Sequence, residues 1–158
     1  MRSWIQFFLS FRTIRVTMLV MALAITVSLE KDLPEAFAAF TKAKSGKALA
    51  RESERLDTAA RAKHVNGIPS FLSESQAALI EQLKAEGFDP AKMRLPPEQW
   101  FDAAEGLQTV RALIEHVSAN LNNYKQPNPI LRDLKAIEAL LVAAQHAGVR
   151  FHLTKIDL

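Results

Sequence analysis

The chain has 158 residues, no cysteine, 49% hydrophobic side chains and a formal charge of +3. That length makes one domain the natural expectation and lets it bury a core without staples, while the missing thiols exclude disulfide frameworks, cysteine-based zinc sites and cysteine nucleophiles. Residues 1–20 hold Arg2, Arg12 and Arg15 and no acid, so the remainder balances at 17 basic against 17 acidic side chains and carries no general bias toward nucleic acid.

Trp4, Phe7, Phe8 and Phe11 make the head of the chain apolar, but Arg12 and Arg15 interrupt it, and the longest uncharged run, Val16 to Leu29, is fourteen residues. As a helix it would cover roughly 21 Å at about 1.5 Å per residue, short of a hydrocarbon core of roughly 30 Å. A membrane span is therefore disfavoured. A cleaved export signal is the alternative, since arginines precede an apolar run and Ala22-Leu23-Ala24 has the small-x-small form of a cleavage site. Such a cut would split the best strand in the chain. The preferred reading takes residues 1–20 as a doubtful N-terminal extension and 21–158 as a single domain of cytoplasmic location, with export as the alternative.

That strand is Met21 to Leu29. Its odd positions, Met21, Leu23, Ile25, Val27 and Leu29, are large and apolar, while Ala22, Ala24, Thr26 and Ser28 are small or polar. A period of two marks a strand with one face buried. Asp32 and Glu35 have capping-box spacing around Pro34, which predicts a short helix with Phe37 and Phe40 inward, broken at Ser45-Gly46. A polar helix is expected from about Lys47 to His64, with Leu49, Leu56, Ala59 and Ala60 as its stripe, stopped by Asn66-Gly67. Pro69 limits Ile68 to Leu72 to an edge strand or an extended connector. Ser73 with Gln76 predicts a helix carrying Leu79, Ile80 and Leu83 and ending at Gly87, and Phe88 to Pro97 reads as a proline-rich linker.

The two strongest helices follow. Trp100, Ala103, Leu107, Val110, Ile114, Val117 and Leu121 recur at steps of three and four. Gly106 interrupts that face, which points to a close backbone approach or to a helix that starts at Asp102. Asn128 and Pro129 open the last helix, with Ile130, Leu134, Ile137, Leu141 and Ala144 inward and Gly148 at its end. Val149, Phe151 and Leu153 then alternate with Arg150, His152 and Thr154 as a second one-sided strand. The expected fold is thus α+β, mostly helical, with a small sheet of two or three strands from the two ends of the chain and helices on one face.

No catalytic motif stands out. Ser45-Gly46-Lys47 lacks the first glycine and the magnesium-binding hydroxyl of a phosphate loop, having Thr41 and Ala48 there, and reads as a helix break. The four histidines show no zinc-peptidase spacing. If the end strands ran parallel, Glu30, Asp32 and Asp157 would emerge together and make a carboxylate site for a hard cation or for acid and base work. Antiparallel strands would dissolve it. The sheet's second face is the other candidate, where Thr26 and Ser28 lie beside Arg150, His152 and Thr154. Small residues there permit close approach, and Arg with His supplies donors for an acidic group. An unpaired strand edge offers a further route, by strand addition or dimerisation. The sequence therefore predicts a non-catalytic binding or interaction protein acting through a sheet face or edge, with a protein partner or a second copy of itself. No cofactor, nucleic acid or membrane is expected. An enzyme or metal-binding domain built on the three carboxylates is the first rival, and an exported or membrane-tethered protein the second.

Overall fold

The computed structural model describes residues 23–157; the expectations for residues 1–22, including the extension, the first two strand positions and Ala22 of the cleavage site, lie outside them. Two strands, β1 (Leu23–Leu29) and β2 (Phe151–Asp157), form an antiparallel pair in which Leu23 faces Asp157 and Leu29 faces Phe151. Between them run α1 (Pro34–Ala43), α2 (Lys47–Arg51), α3 (Ser53–Ala62), α4 (Gln76–Ala85), α5 (Ala103–Ala119) and α6 (Pro127–Ala147). This is the mostly helical α+β arrangement, with its sheet made from the two ends of the described chain. Among the described residues no helix is long and apolar enough to cross a membrane.

The alternation in β1 works as the sequence predicts at its centre. Ile25 and Val27 point into the core with Phe151 and Leu153, and all four are nearly inaccessible. Against them pack α5 and α6. On α6, Ile130, Leu134, Ile137, Leu141 and Ala144 are all buried, and Gly148 closes the helix in the left-handed region at φ 66°. On α5 Ala103, Leu107, Val110 and Val117 are buried as expected, and the stripe departs from expectation only at its ends and at Ile114. The helix begins at Ala103 after Asp102, so Trp100 and Leu121 fall outside it, and Leu113 is fully buried while Ile114 is only half-buried. Gly106 marks the close approach. A Cβ there would stand 2.4 Å from the Cζ of Phe151 and 2.9 Å from a Leu141 methyl.

The ends of several helices differ from their sequence signals. Neither Asp32 nor Ser73 caps a helix. The first turn of α1 carries Pro34 with no side-chain cap, and Ser75 caps α4 by accepting from the Ala78 amide, 3.4 Å away. Ser73 Oγ instead accepts from the Gln99 amide at 2.9 Å. The expected 47–64 helix is bent at Glu52, whose carboxylate turns aside to accept the amides of Lys125 at 2.8 Å and Gln126 at 3.3 Å, the orphan donors at the start of α6.

Both edges of the strand pair are partly occupied. On the outer side of β2, Phe101 exchanges backbone hydrogen bonds with Phe151 at 2.8 and 3.0 Å, and the Ser73 amide donates to the Leu153 carbonyl at 3.0 Å. The stretch expected as an edge strand, Ile68 to Leu72, is a 3-10 turn ending in a single bridge from Leu72 to Leu153. On the outer side of β1, the Ile25 amide donates to the Gly46 carbonyl at 3.1 Å. Gly46 sits at φ 73°, and a Cβ there would come within 2.2 Å of the Ile25 carbonyl oxygen, so only glycine fits. The fully buried Asp133 of α6 holds this turn, accepting the Ser45 and Gly46 amides at 2.8 and 2.9 Å.

Candidate functional site

Antiparallel pairing decides the carboxylate question first. Glu30 follows Leu29 at one end of β1, whereas Asp157 pairs with Leu23 at the other, six residues along the ladder. At roughly 3.3 Å per residue that separation is about 20 Å. The expected site of Glu30, Asp32 and Asp157 is therefore not assembled, because the chain returns to the sheet in the opposite direction from the one such a site requires. Glu30 is instead paired with Arg150, its Oε2 accepting from Nε at 2.6 Å. Among the described residues no group of three or more His, Asp or Glu side chains is placed to hold a metal ion.

The sheet's second face does carry Thr26, Ser28, His152 and Thr154 together, with Ser28 opposite His152 and Thr26 opposite Thr154. It is not the open polar surface that the sequence suggests. His152 is fully buried, and so is Ala24. What covers the histidine is the segment after Pro96-Pro97. Two prolines hold the chain extended, so Glu98 and Trp100 fall on one side, against the sheet, while Phe101 turns the other way onto Phe71, its ring edge-on at 5.4 Å. The Trp100 ring lies 4.7 Å from the imidazole, centre to centre. Glu98 Oε2 meets His152 Nε2 at 2.7 Å, and His152 Nδ1 meets Thr154 Oγ1 at 3.2 Å, which in turn meets Ser28 Oγ at 3.2 Å.

Glu98, His152, Thr154 and Ser28 thus form one line of hydrogen bonds across the strand pair. The order carboxylate, imidazole, hydroxyl is that of a nucleophile-activating relay. The enclosed imidazole, with both nitrogens engaged, ties the 96–100 segment to the sheet; removing Glu98 would leave Nε2 of the buried His152 unmet, whereas Nδ1 also lies 3.3 Å from the Leu153 carbonyl. Arg150 remains exposed, tied to Glu30. Sequence reasoning missed Glu98, to which it gave no role, and Trp100, which it assigned to a helix face. The diproline was the available signal, since a stiff extended segment with alternating side chains behaves as a strand.

A second polar group gathers where α3 meets the loop before α6. Arg55 donates from Nη1 to the Asn123 carbonyl, and Tyr124 Oη lies 3.1 Å from His116 Nδ1. Burial, and then the negative charge of Glu52, push the Tyr124 phenol above its ordinary value of 10.0, with Arg55 opposing. An open cavity of about 700 Å³ beside it is lined by Arg51, Glu54, Arg55 and Lys125. With Glu52, also in its lining, it holds three cations against two carboxylates, and Glu52 and Arg55 are already committed to backbone groups.

The apolar counterpart lies on the opposite flank. A groove of about 670 Å³ runs between α1 and α6, with Ala36, Ala39 and Ala43 on one wall, Leu131 and Ala139 on the other, and Phe40 at the base. Arg132 and Lys135 stand on its α6 side. Although α1 is largely apolar, Phe40 is its one buried residue, and Phe37, expected to be inward, is 37% exposed. Comparison of the chain with family models, with curated proteins and with solved structures gave no match.

Proposed function

We propose that this protein is a non-catalytic binding domain that engages a protein partner through the helical flank formed by α1 and α6. The observation that carries the reading is the mismatch on α1. A helix of sequence PEAFAAFTKA offers two phenylalanines and four alanines, yet the body of the protein fully buries only Phe40, with Ala36 partly buried against the core. An isolated ten-residue helix is marginal in water, and its stability comes from the face it buries. Apolar surface left over beside an open groove is the usual mark of a site for another chain.

The reading keeps the interaction function expected from the sequence and moves it from the sheet to the helices. His152 lies beneath Trp100 and is hydrogen-bonded to Glu98, Arg150 is paired with Glu30, and Thr154 and Ser28 are bonded to each other. Among the described residues the groove has no such partner. Photo-crosslinking tests the choice. A crosslinking side chain placed at Ala139 of the full-length protein in its native cells is expected to give a discrete protein adduct, and one placed at Thr26 is expected to give none. Adducts from Thr26 alone would return the function to the sheet face, and silence at both positions would refute the proposal.

A further inference from the structure

We infer that the groove between α1 and α6 receives an amphipathic helix of a partner protein whose flank carries acidic residues. This rests on the binding role proposed above and adds the chemistry of the occupant. The shape argues for a helix. Ala36, Ala39 and Ala43 recur at steps of three and four along α1, so the wall is a row of small side chains that lets a third helix approach the backbone closely. Ten residues of α1 extend about 15 Å, room for roughly three turns of an incoming helix with anchors at i, i+3 or i+4, and i+7.

Charge argues for the acidic flank. Among the groove's lining residues the charged ones are Arg132 and Lys135, three apart on α6 and therefore on one side of it. Both are exposed, and neither is in an ion pair among the described residues. Both acids of α6 are committed elsewhere: Asp133 is buried on the Ser45 and Gly46 amides, and Glu138 is held by Arg111 at 3.1 Å. Lys44 adds a third cation just beyond α1, its ammonium 5.7 Å from the centre of the Phe40 ring. Glu35, in the first turn of α1, is not a lining residue.

The test uses the full chain and two labelled synthetic peptides read by fluorescence anisotropy at low salt. Both are amphipathic helices with the same leucine face, one flanked by glutamates and the other by lysines. The glutamate peptide is expected to bind about tenfold more tightly or better. Joint replacement of Arg132→Glu and Lys135→Glu is expected to reverse the preference. Ala39→Arg, at an exposed position on the wall, is expected to abolish binding of both peptides with no change in melting temperature. Equal binding of the two peptides, binding that survives Ala39→Arg, or no binding of the glutamate peptide would overturn the inference. So would self-association of the chain that Ala39→Arg dissolves, which would assign the groove to a second copy, or Ala39-dependent binding to phosphatidylglycerol vesicles, which would assign it to a lipid surface. Crosslinks from Ala139 alongside failure of the glutamate peptide would leave the binding role standing and remove the acidic helix alone.

Discussion

Replacing Gly106 with alanine is expected to destabilise the protein, although the same change in an exposed helix would strengthen it. Two effects oppose each other. Alanine gains about 1 kcal/mol of helix propensity over glycine in α5. The new methyl, however, would stand 2.4 Å from Cζ and 2.7 Å from Cε1 of Phe151, and 2.9 Å from a Leu141 methyl. The ring has nowhere to go, since Phe151 is 1% exposed and lies between Phe71, at 5.5 Å, and Phe101, at 6.4 Å. Inserting a methyl into such a site costs about 1–3 kcal/mol, and with three contacts this short the upper half of that range applies. The net loss is about 1–2 kcal/mol. Urea unfolding reads it as a lower midpoint at unchanged slope. In a Phe151→Leu background, where both clashing ring atoms are gone, the same substitution becomes neutral or favourable, a coupling of about 1–2 kcal/mol. If Gly106→Ala alone raised the midpoint, α5 would not lie against β2 as described, and the account of the core would fail.

Asp133→Ala leaves the Ser45 and Gly46 amides without their acceptor in a buried turn and is expected to cost about 2 kcal/mol or more; an unchanged unfolding midpoint would contradict it. Tyr124 titrates above its ordinary value in the folded state, so its contribution to stability is present below the unfolded pKa of 10.0 and is lost as pH rises through the folded value. A Tyr124→Phe variant is accordingly expected to lose less stability between pH 9 and 11 than the parent in thermal melts, and parallel curves would refute the assignment. Helix α4 buries none of its residues, so its amides are expected to exchange with solvent much faster than those of α5. Equal protection by hydrogen exchange would show that α4 is anchored more firmly than this.

What the sequence determines by itself is whatever one-sided burial writes into a local period. The alternation at the centre of β1 and in β2 and the three-and-four spacing of α6 each record a buried face, and the structure places Ile25, Val27, Phe151, Leu153 and the α6 stripe inward, while Leu23 at the end of β1 is exposed. Gly106 and Gly148 were legible for the same reason, as breaks in a pattern that only a close contact or a left-handed turn explains. The candidate site was not legible in this way. Strand direction dispersed Glu30, Asp32 and Asp157, and no local pattern encodes direction, because a strand alternates identically read from either end. His152 lies on a face that alternation alone marks as polar, and its burial follows from Glu98 and Trp100, more than fifty positions earlier in the chain. The α1–α6 groove likewise needs two helices ninety residues apart in sequence to lie side by side with room between them. Periodicity says which side of an element is apolar; only the packing of distant elements says which of those sides another element covers.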